Sequence, residues 1–222
     1  MVEYVTTDVY RPYIDLAEKV FPNPNIVVDK FHIVQLLTRE LNKLRINEMK
    51  KLNTRSREYK VLKRYWKIPL AKNWELNRIY FYKNRPFKKM TSSIDILYYM
   101  LKEFPHLKEA YDFYQNFLLS ISKNDVAMLE DILNTRTDEI PMCFRKSIKS
   151  LKKLRKYVIN SLKYDYTNAM VEGKNNKIKV IKRVSYGYRS FRNFKARIML
   201  IERYKIQKGN IHSYKFAMDA AA

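Results

Sequence analysis

Two short stretches decide the fold: Tyr4-Val5-Thr6-Thr7-Asp8 and, after a proline-rich gap, Ile26-Val27-Val28-Asp29-Lys30-Phe31-His32-Ile33. The first is short and β-prone. The second opens on a continuous β-branched run, as carried by a strand buried on both faces. Each run ends on an aspartate. Between them, Pro12 suits the first turn of a helix whose apolar positions Ile14, Ala17, Val20 and Phe21 keep helical spacing. Asn23-Pro24-Asn25 stops that helix. Beyond Asp29, the residues Ile33, Leu37, Leu41 and Leu44 form one stripe of a long helix. The order strand, helix, strand, helix is an α/β pattern, but a truncated one, because two strands do not make a stable sheet alone.

Working outward, the pattern from about Arg55 to Lys163 reads as helical only. Trp66, Trp74 and the Tyr80-Phe81-Tyr82 cluster suggest an aromatic core there, with Pro69 and Pro86 as breaks. Ser92-x-x-Asp95 opens a helix in the form of a capping box, Pro105 separates it from a helix through Phe117-Leu118-Leu119, and Asn124 can cap the next. Pro141 then starts a longer helix with Phe144, Ile148, Leu151, Val158 and Leu162 on one face. Asn168 to Arg183 reads as a helix, Ser185 to Arg189 as a turn, and Phe191 to about Ile206 as a last helix. Asn168, Glu172, Asn175 and Lys179 share a polar face, and Val171, Ile178 and Ile181 a stripe that would pack inward.

Composition narrows the classes. The 222 residues are 46% hydrophobic and 30% charged, which excludes a disordered tail. No run reaches the ~18 apolar residues of a membrane span, which excludes a membrane bundle, and the expected location is the cytoplasm, nucleoid-associated in a prokaryote. One cysteine, Cys143, excludes a disulfide framework or a cysteine zinc cluster, and 3 glycines disfavour turn-rich β architectures. The net charge is +23, unevenly spread: residues 30–90 carry 18 bases and 4 acids, residues 91–144 carry 4 and 9, and residues 145–208 carry 20 and 3. Two basic blocks around an acidic middle suit a polyanion, with nucleic acid the natural candidate. The bland alternative is a lysine-rich surface that only aids solubility.

Three carboxylates stand out by placement. Asp8 and Asp29 each end a strand, where α/β sheets place ligand and catalytic groups. Glu172 is one of 3 acids among 20 bases and reads either as a functional carboxylate or as local charge relief. Asp29-x-x-His32 is too sparse for a metal site, and Asp29 also reads as a helix N-cap. Phosphate loops, Gly-rich dinucleotide turns, nucleophile elbows and zinc-protease helices are absent from the sequence. His106 and His212 read as surface residues and Cys143 as core.

One longer pattern adds to this reading. Asn168-Ala-Met-Val-Glu172-Gly173-Lys-Asn-Asn-Lys-Ile-Lys179-Val-Ile-Lys182-Arg183-Val-Ser-Tyr-Gly187-Tyr-Arg189-Ser-Phe191-Arg-Asn-Phe194-Lys-Ala-Arg197-Ile198 closely resembles the C-terminal signature of DDE transposases of the insertion-sequence family called ISL-three. Val5-Thr-Thr-Asp8-Val-Tyr-Arg-Pro-Tyr13, with Phe21-Pro22-Asn23 and Ile26-Val-Val-Asp29-Lys-Phe31-His32, resembles that family's central strands. The resemblance implies a mainly α chain with a partial α/β piece: a truncated ribonuclease H-like core interrupted by a large helical insertion. It implies core segments at 1–45 and 164–208, an insertion at 46–163 and a tail at 209–222. Asp8 and Glu172 match two catalytic, metal-binding carboxylates. Asp29 and His32 match a motif that supports the site. Mg²⁺ or Mn²⁺ is the expected cofactor of the full-length enzyme, and Lys174, Lys177, Lys179, Lys182, Arg183, Arg189 and Arg192 would face DNA phosphates.

By the same resemblance, a full member carries an N-terminal recognition region and a first strand with a further catalytic Asp. The chain therefore reads as a transposase fragment, expected to be inactive alone. Its expected partners are transposon-end DNA, further copies of itself or a full-length transposase, with no membrane. The alternatives are a catalytically silent nucleic-acid-binding regulator and a purely structural helical scaffold.

Overall fold

The two β-prone runs pair. Strand β1 (Tyr4–Thr7) lies parallel to β2 (Asn25–Val28), with Thr7 opposite Val28. The computed structural model describes residues 2–203, which divide into two compact units, Met1–Asn168 and Ala169 onward. In the first, helix α1 (Arg11–Val20), with Pro12 in its opening turn, connects the strands, and the 21-residue α2 (Lys30–Lys50) leaves β2.

A sheet of two strands needs cover, and the helices supply it. Helix α8 (Arg155–Lys163) packs on β2, and its Asn160 amide donates to the Ile26 carbonyl at 2.9 Å, satisfying an acceptor on the free edge of the strand. Tyr4 packs its ring on Tyr164 and Tyr166, with centroids 5.1 and 4.6 Å away. The Tyr157 hydroxyl donates to Glu18, tying α8 to α1.

Helix α2 is the axis of the core. Its stripe of Ile33, Leu37 and Leu41 is fully buried against α3 (Arg57–Arg64), α5 (Pro105–Ser122) and α8. Arg45 continues the stripe as a buried cation. It donates to the Leu62 carbonyl at 2.7 Å and to Asn42 Oδ1 at 2.9 Å, and burial lowers its pKa. Tyr114 of α5 crosses the same layer, its hydroxyl 2.8 Å from Thr38 Oγ1 and donating to the Leu70 carbonyl. Among the described residues no helix is long and apolar enough to cross a membrane.

Several expectations are corrected. The stretch 55–163 is not purely helical: β3 (Tyr82–Asn84) and β4 (Lys89–Thr91) form an antiparallel hairpin, with Lys88 at φ 53° in the turn. The aromatic cluster is not core. Trp66, Trp74, Tyr80, Phe81 and Tyr82 are exposed, because they lie on a turn, a short 3-10 helix, a loop and the start of β3 rather than on a helix face. Asp125, not Asn124, caps α6 (Val126–Asn134), since Asn124 takes φ 53° and its side chain accepts from Lys30 instead. The helix expected after Pro141 is a 3-10 turn followed by two helices, α7 (Arg145–Lys153) and α8, broken where Leu154 leaves helical geometry at ψ 19°. All five apolar residues assigned to its face are buried nonetheless.

The second unit pairs α9 (Ala169–Val184) with α10 (Phe191–Arg203) across a turn in which Tyr186 and Gly187 take φ 52° and 102°. Ile181 is buried, but Val171, expected on the same inward stripe, is exposed. The remainder of the last expected helix, and the tail with His212, lie outside the described residues.

Helix α4 (Ser93–Glu103) begins with a complete capping box: Ser92 Oγ accepts from the Asp95 amide while the Ser92 amide donates to Asp95 Oδ2 at 2.8 Å. The Ser92 amide and then its hydroxyl, both donating to the carboxylate, hold the Asp95 carboxyl below its usual pKa. A depressed folded-state pKa contributes stability above the unfolded value, which is lost as pH falls through the folded one. Ser92→Ala is expected to lower stability by about 1 kcal/mol. Asp95→Asn should shrink the loss of stability between neutral and strongly acid pH. Urea unfolding across pH checks both.

Candidate active site

The site begins with register. Because β1 and β2 run parallel with Thr7 opposite Val28, the next residues, Asp8 and Asp29, sit side by side at the carboxyl edge. The Asp29 amide donates to the Thr7 carbonyl at 3.0 Å and extends the pairing by one bond.

Asp29 is 5% exposed and fully engaged. Oδ1 accepts from the Phe31 amide at 2.8 Å and caps α2; Oδ2 accepts from Thr167 Oγ1 at 3.1 Å and from the Asn168 amide at 2.7 Å. The cap reading of Asp29 therefore holds, and with both oxygens committed it does not suit a metal ligand. Sequence pattern does not point to Thr167 and Asn168 for this position. Their link to Asp29 spans 138 and 139 positions, which leaves no local signal to read.

Asp8 differs. Its side chain is 47% exposed, and its two polar contacts fall on one oxygen: Oδ1 lies 3.0 Å from His32 Nε2, an ion pair when the imidazole is protonated, and accepts from Asn168 Nδ2 at 3.1 Å. Its other oxygen has no hydrogen bond among the described residues. His32 sits in the first turn of α2, so the helix that Asp29 caps also aims the imidazole at Asp8. Asp8, His32, Tyr10, Tyr13, Gln35 and Arg39 line an open groove of about 430 Å³. Asn168 bonds both aspartates, one through its backbone and one through its side chain.

In the second unit, Glu172 lies in the first turn of α9 and is exposed, where a carboxylate also suits the helix dipole. At about 100° per residue, Glu172, Asn175, Lys179, Lys182 and Arg183 share an arc of about 100°. Lys174 and Lys177 fall outside that arc, and Arg189 and Arg192 lie on the turn and on α10. All seven expected DNA-facing bases are exposed. His106 is exposed as expected. Cys143 packs on the core, where burial pushes its thiol up to about 12, too high for a nucleophile. Among the described residues no three His, Cys, Asp or Glu side chains come together as a metal site. Of the two strand-end aspartates, Asp8 rather than Asp29 offers an exposed carboxylate oxygen of the hard type that Mg²⁺ or Mn²⁺ takes.

A sequence model for transposases, that of the ISL-three DDE type, matches residues 1–198. The chain belongs to this transposase family. A protein of Lactococcus lactis subsp. lactis named an ATP-dependent protease is 37% identical over 121 residues, 54% of this chain and 38% of that protein. The chain thus matches well under half the length of that relative. No solved structure matches.

The contrast between the two aspartates has a direct consequence. Asp29→Ala removes three bonds to a buried carboxylate, one of them the cap of α2, and is expected to lower stability on the order of 3 kcal/mol. Asp8→Asn, at a half-exposed position, should change it by less than about 1 kcal/mol. Urea denaturation of both variants checks the difference.

Proposed function

We propose that this chain carries part of the catalytic core of a DNA transposase, with a ribonuclease H-like arrangement in which Asp8 and Glu172 hold divalent cations. The observation that carries the reading is Asp8: a half-exposed strand-end carboxylate, oriented by two neighbours, inside a chain whose residues 1–198 match the transposase family. The parallel strands joined by a helix, with carboxylates at their ends, support the core assignment. The exposed bases of α9 and α10 support DNA binding.

The work of the residues follows from their chemistry. Asp8 and Glu172 would hold the divalent cations, which when bound would supply activation of an attacking oxygen and charge relief at the leaving oxygen. Asp8 brings the negative charge that attracts them. Asn168 donates to one oxygen of Asp8 and His32 lies against the same oxygen, which orients the carboxylate and keeps the other oxygen available. Asp29 takes no ligand; it holds His32 and Asn168 in place. Lys179, Lys182 and Arg183 engage phosphates by charge, which fixes the position of the strand without reading its sequence.

Two measurements test this. In the transposase that carries this sequence, Asp8→Asn and Glu172→Gln are each expected to reduce Mg²⁺- or Mn²⁺-dependent nicking of donor plasmid by at least about 100-fold, with duplex affinity retained. Unchanged nicking in either variant overturns that residue's assignment. Alanine at Lys179, Lys182 and Arg183 should weaken duplex binding and lower the log–log salt slope by up to about 0.9 for each phosphate left without its cation. An unchanged slope would return these bases to the solubility reading.

A further inference from the structure

The segment from Arg55 to Met90 holds 12 bases and 2 acids, yet none of its bases belongs to the α9–α10 set. It also carries the largest group of displaced aromatics in the first unit. Ile79, Tyr80 and Phe81 are 78%, 77% and 55% exposed. This exposure is held by structure. Asn77 Oδ1 accepts from the amides of Ile79 at 3.1 Å and Tyr80 at 2.9 Å, while its Nδ2 donates to the Tyr80 carbonyl at 2.7 Å. The Asn77 carbonyl accepts from the Ile94 amide at 3.3 Å, anchoring the loop to the start of α4. The hairpin β3–β4 follows at once, with Lys83, Arg85, Lys88 and Lys89 exposed. On the preceding turns, the ammonium groups of Lys67 and Lys72 lie 5.5 and 6.0 Å from the ring centroids of Trp66 and Trp74.

We infer that the Asn77–Phe81 loop and the β3–β4 hairpin form a second nucleic-acid-binding surface, in which Tyr80 and Phe81 stack on unpaired bases of DNA while the hairpin's bases hold the flanking phosphates. A pinned, exposed apolar loop marks a binding surface rather than misplaced core. The charge around it selects the partner. A second copy would set one strongly basic segment against another, which like-charge repulsion opposes. An anionic strand meets complementary charge, and its unpaired bases offer the π-faces that exposed rings take up without sequence preference. Paired bases are stacked already and leave those rings uncovered. The surface is therefore expected to prefer distorted or opened DNA over intact duplex, as would arise where strands are cut and joined. This inference rests on the reading of the chain as a DNA-handling protein, but not on Asp8 or Glu172.

Fluorescence anisotropy with three labelled DNAs tests it: an intact duplex, the same duplex with a short unpaired flap, and the single strand. The full chain should bind the flapped duplex more tightly than the intact one. Alanine at both Tyr80 and Phe81 should remove that preference, a loss of about tenfold or more, since stacking contributes about 1–3 kcal/mol per base. Duplex affinity and its salt slope should stay unchanged, and Tyr80→Phe should retain the preference. Alanine at Lys83, Arg85 and Lys88 should instead weaken binding to every DNA and lower the slope by up to about 0.9 for each phosphate that loses its cation. Because all these side chains are exposed, unchanged circular dichroism and urea midpoints should accompany each variant.

The inference is overturned if the aromatic double variant keeps the flap preference or if the parent shows none. It is also overturned if the double variant instead converts a dimer to monomer in sedimentation, or loses affinity for anionic vesicles and not for DNA. Flap preference that depends on Tyr80 and Phe81, with nicking unaffected by Asp8→Asn, would leave this surface standing and remove the catalytic assignment. The reverse result would remove the surface alone.

Discussion

The buried carboxylate of Asp29 is the constraint on which the site depends. One oxygen caps α2 and the other receives Thr167 and Asn168, so a single side chain joins the sheet edge, the central helix and the chain just ahead of α9. A buried, ionised carboxylate without partners would be costly, and three donors compensate it. The consequence reaches Asp8. Both groups that orient Asp8, His32 and Asn168, are held by the residue beside it rather than by Asp8 itself.

This division of labour explains why two aspartates in equivalent places at two strand ends differ so sharply. Parallel pairing in register makes their backbone positions alike. What separates them is satisfaction. Asp29 is enclosed and saturated, so it contributes to structure. Asp8 is half-exposed with an oxygen to spare, so it is the one able to take a ligand. Behind them, the Ile33–Leu37–Leu41 stripe seats α2 in the core and gives the imidazole of His32 a rigid base. Asn160 completes the support by covering the edge of β2.

Much of this is legible in the sequence where the signal is local. The β-branched run ending at Asp29, the stripe of α2 and the Ser92–Asp95 box each occupy a few consecutive turns or rungs, and all three form as expected. The β3–β4 hairpin is not legible, because strands of three residues carry no alternation and Lys88 fills a turn position where glycine would have been the cue. The aromatic residues between Trp66 and Tyr82 have core-like apolar character but no helical periodicity, and periodicity is what marks a buried face. Their interleaving with lysine and arginine is the better guide. The bonds from Asn168 to Asp8 and Asp29 bridge 160 and 139 positions, a separation no local pattern encodes. The transposase signature beginning at Asn168 marks the residue without revealing what it holds.

If Asp29 holds the start of α2 and the Asn168 segment as one junction, the two must loosen together when its carboxylate is removed. Amide hydrogen exchange at Phe31 and Asn168, followed by NMR in the parent chain and in Asp29→Ala, tests this most directly. Both amides should be protected in the parent and lose protection together in the variant, while the amide of Leu37 in mid-helix keeps most of its own. Persistent protection at Asn168 after Phe31 has lost its cap would contradict the junction, because it would show that the Asn168 segment is held by something other than the Asp29 carboxylate.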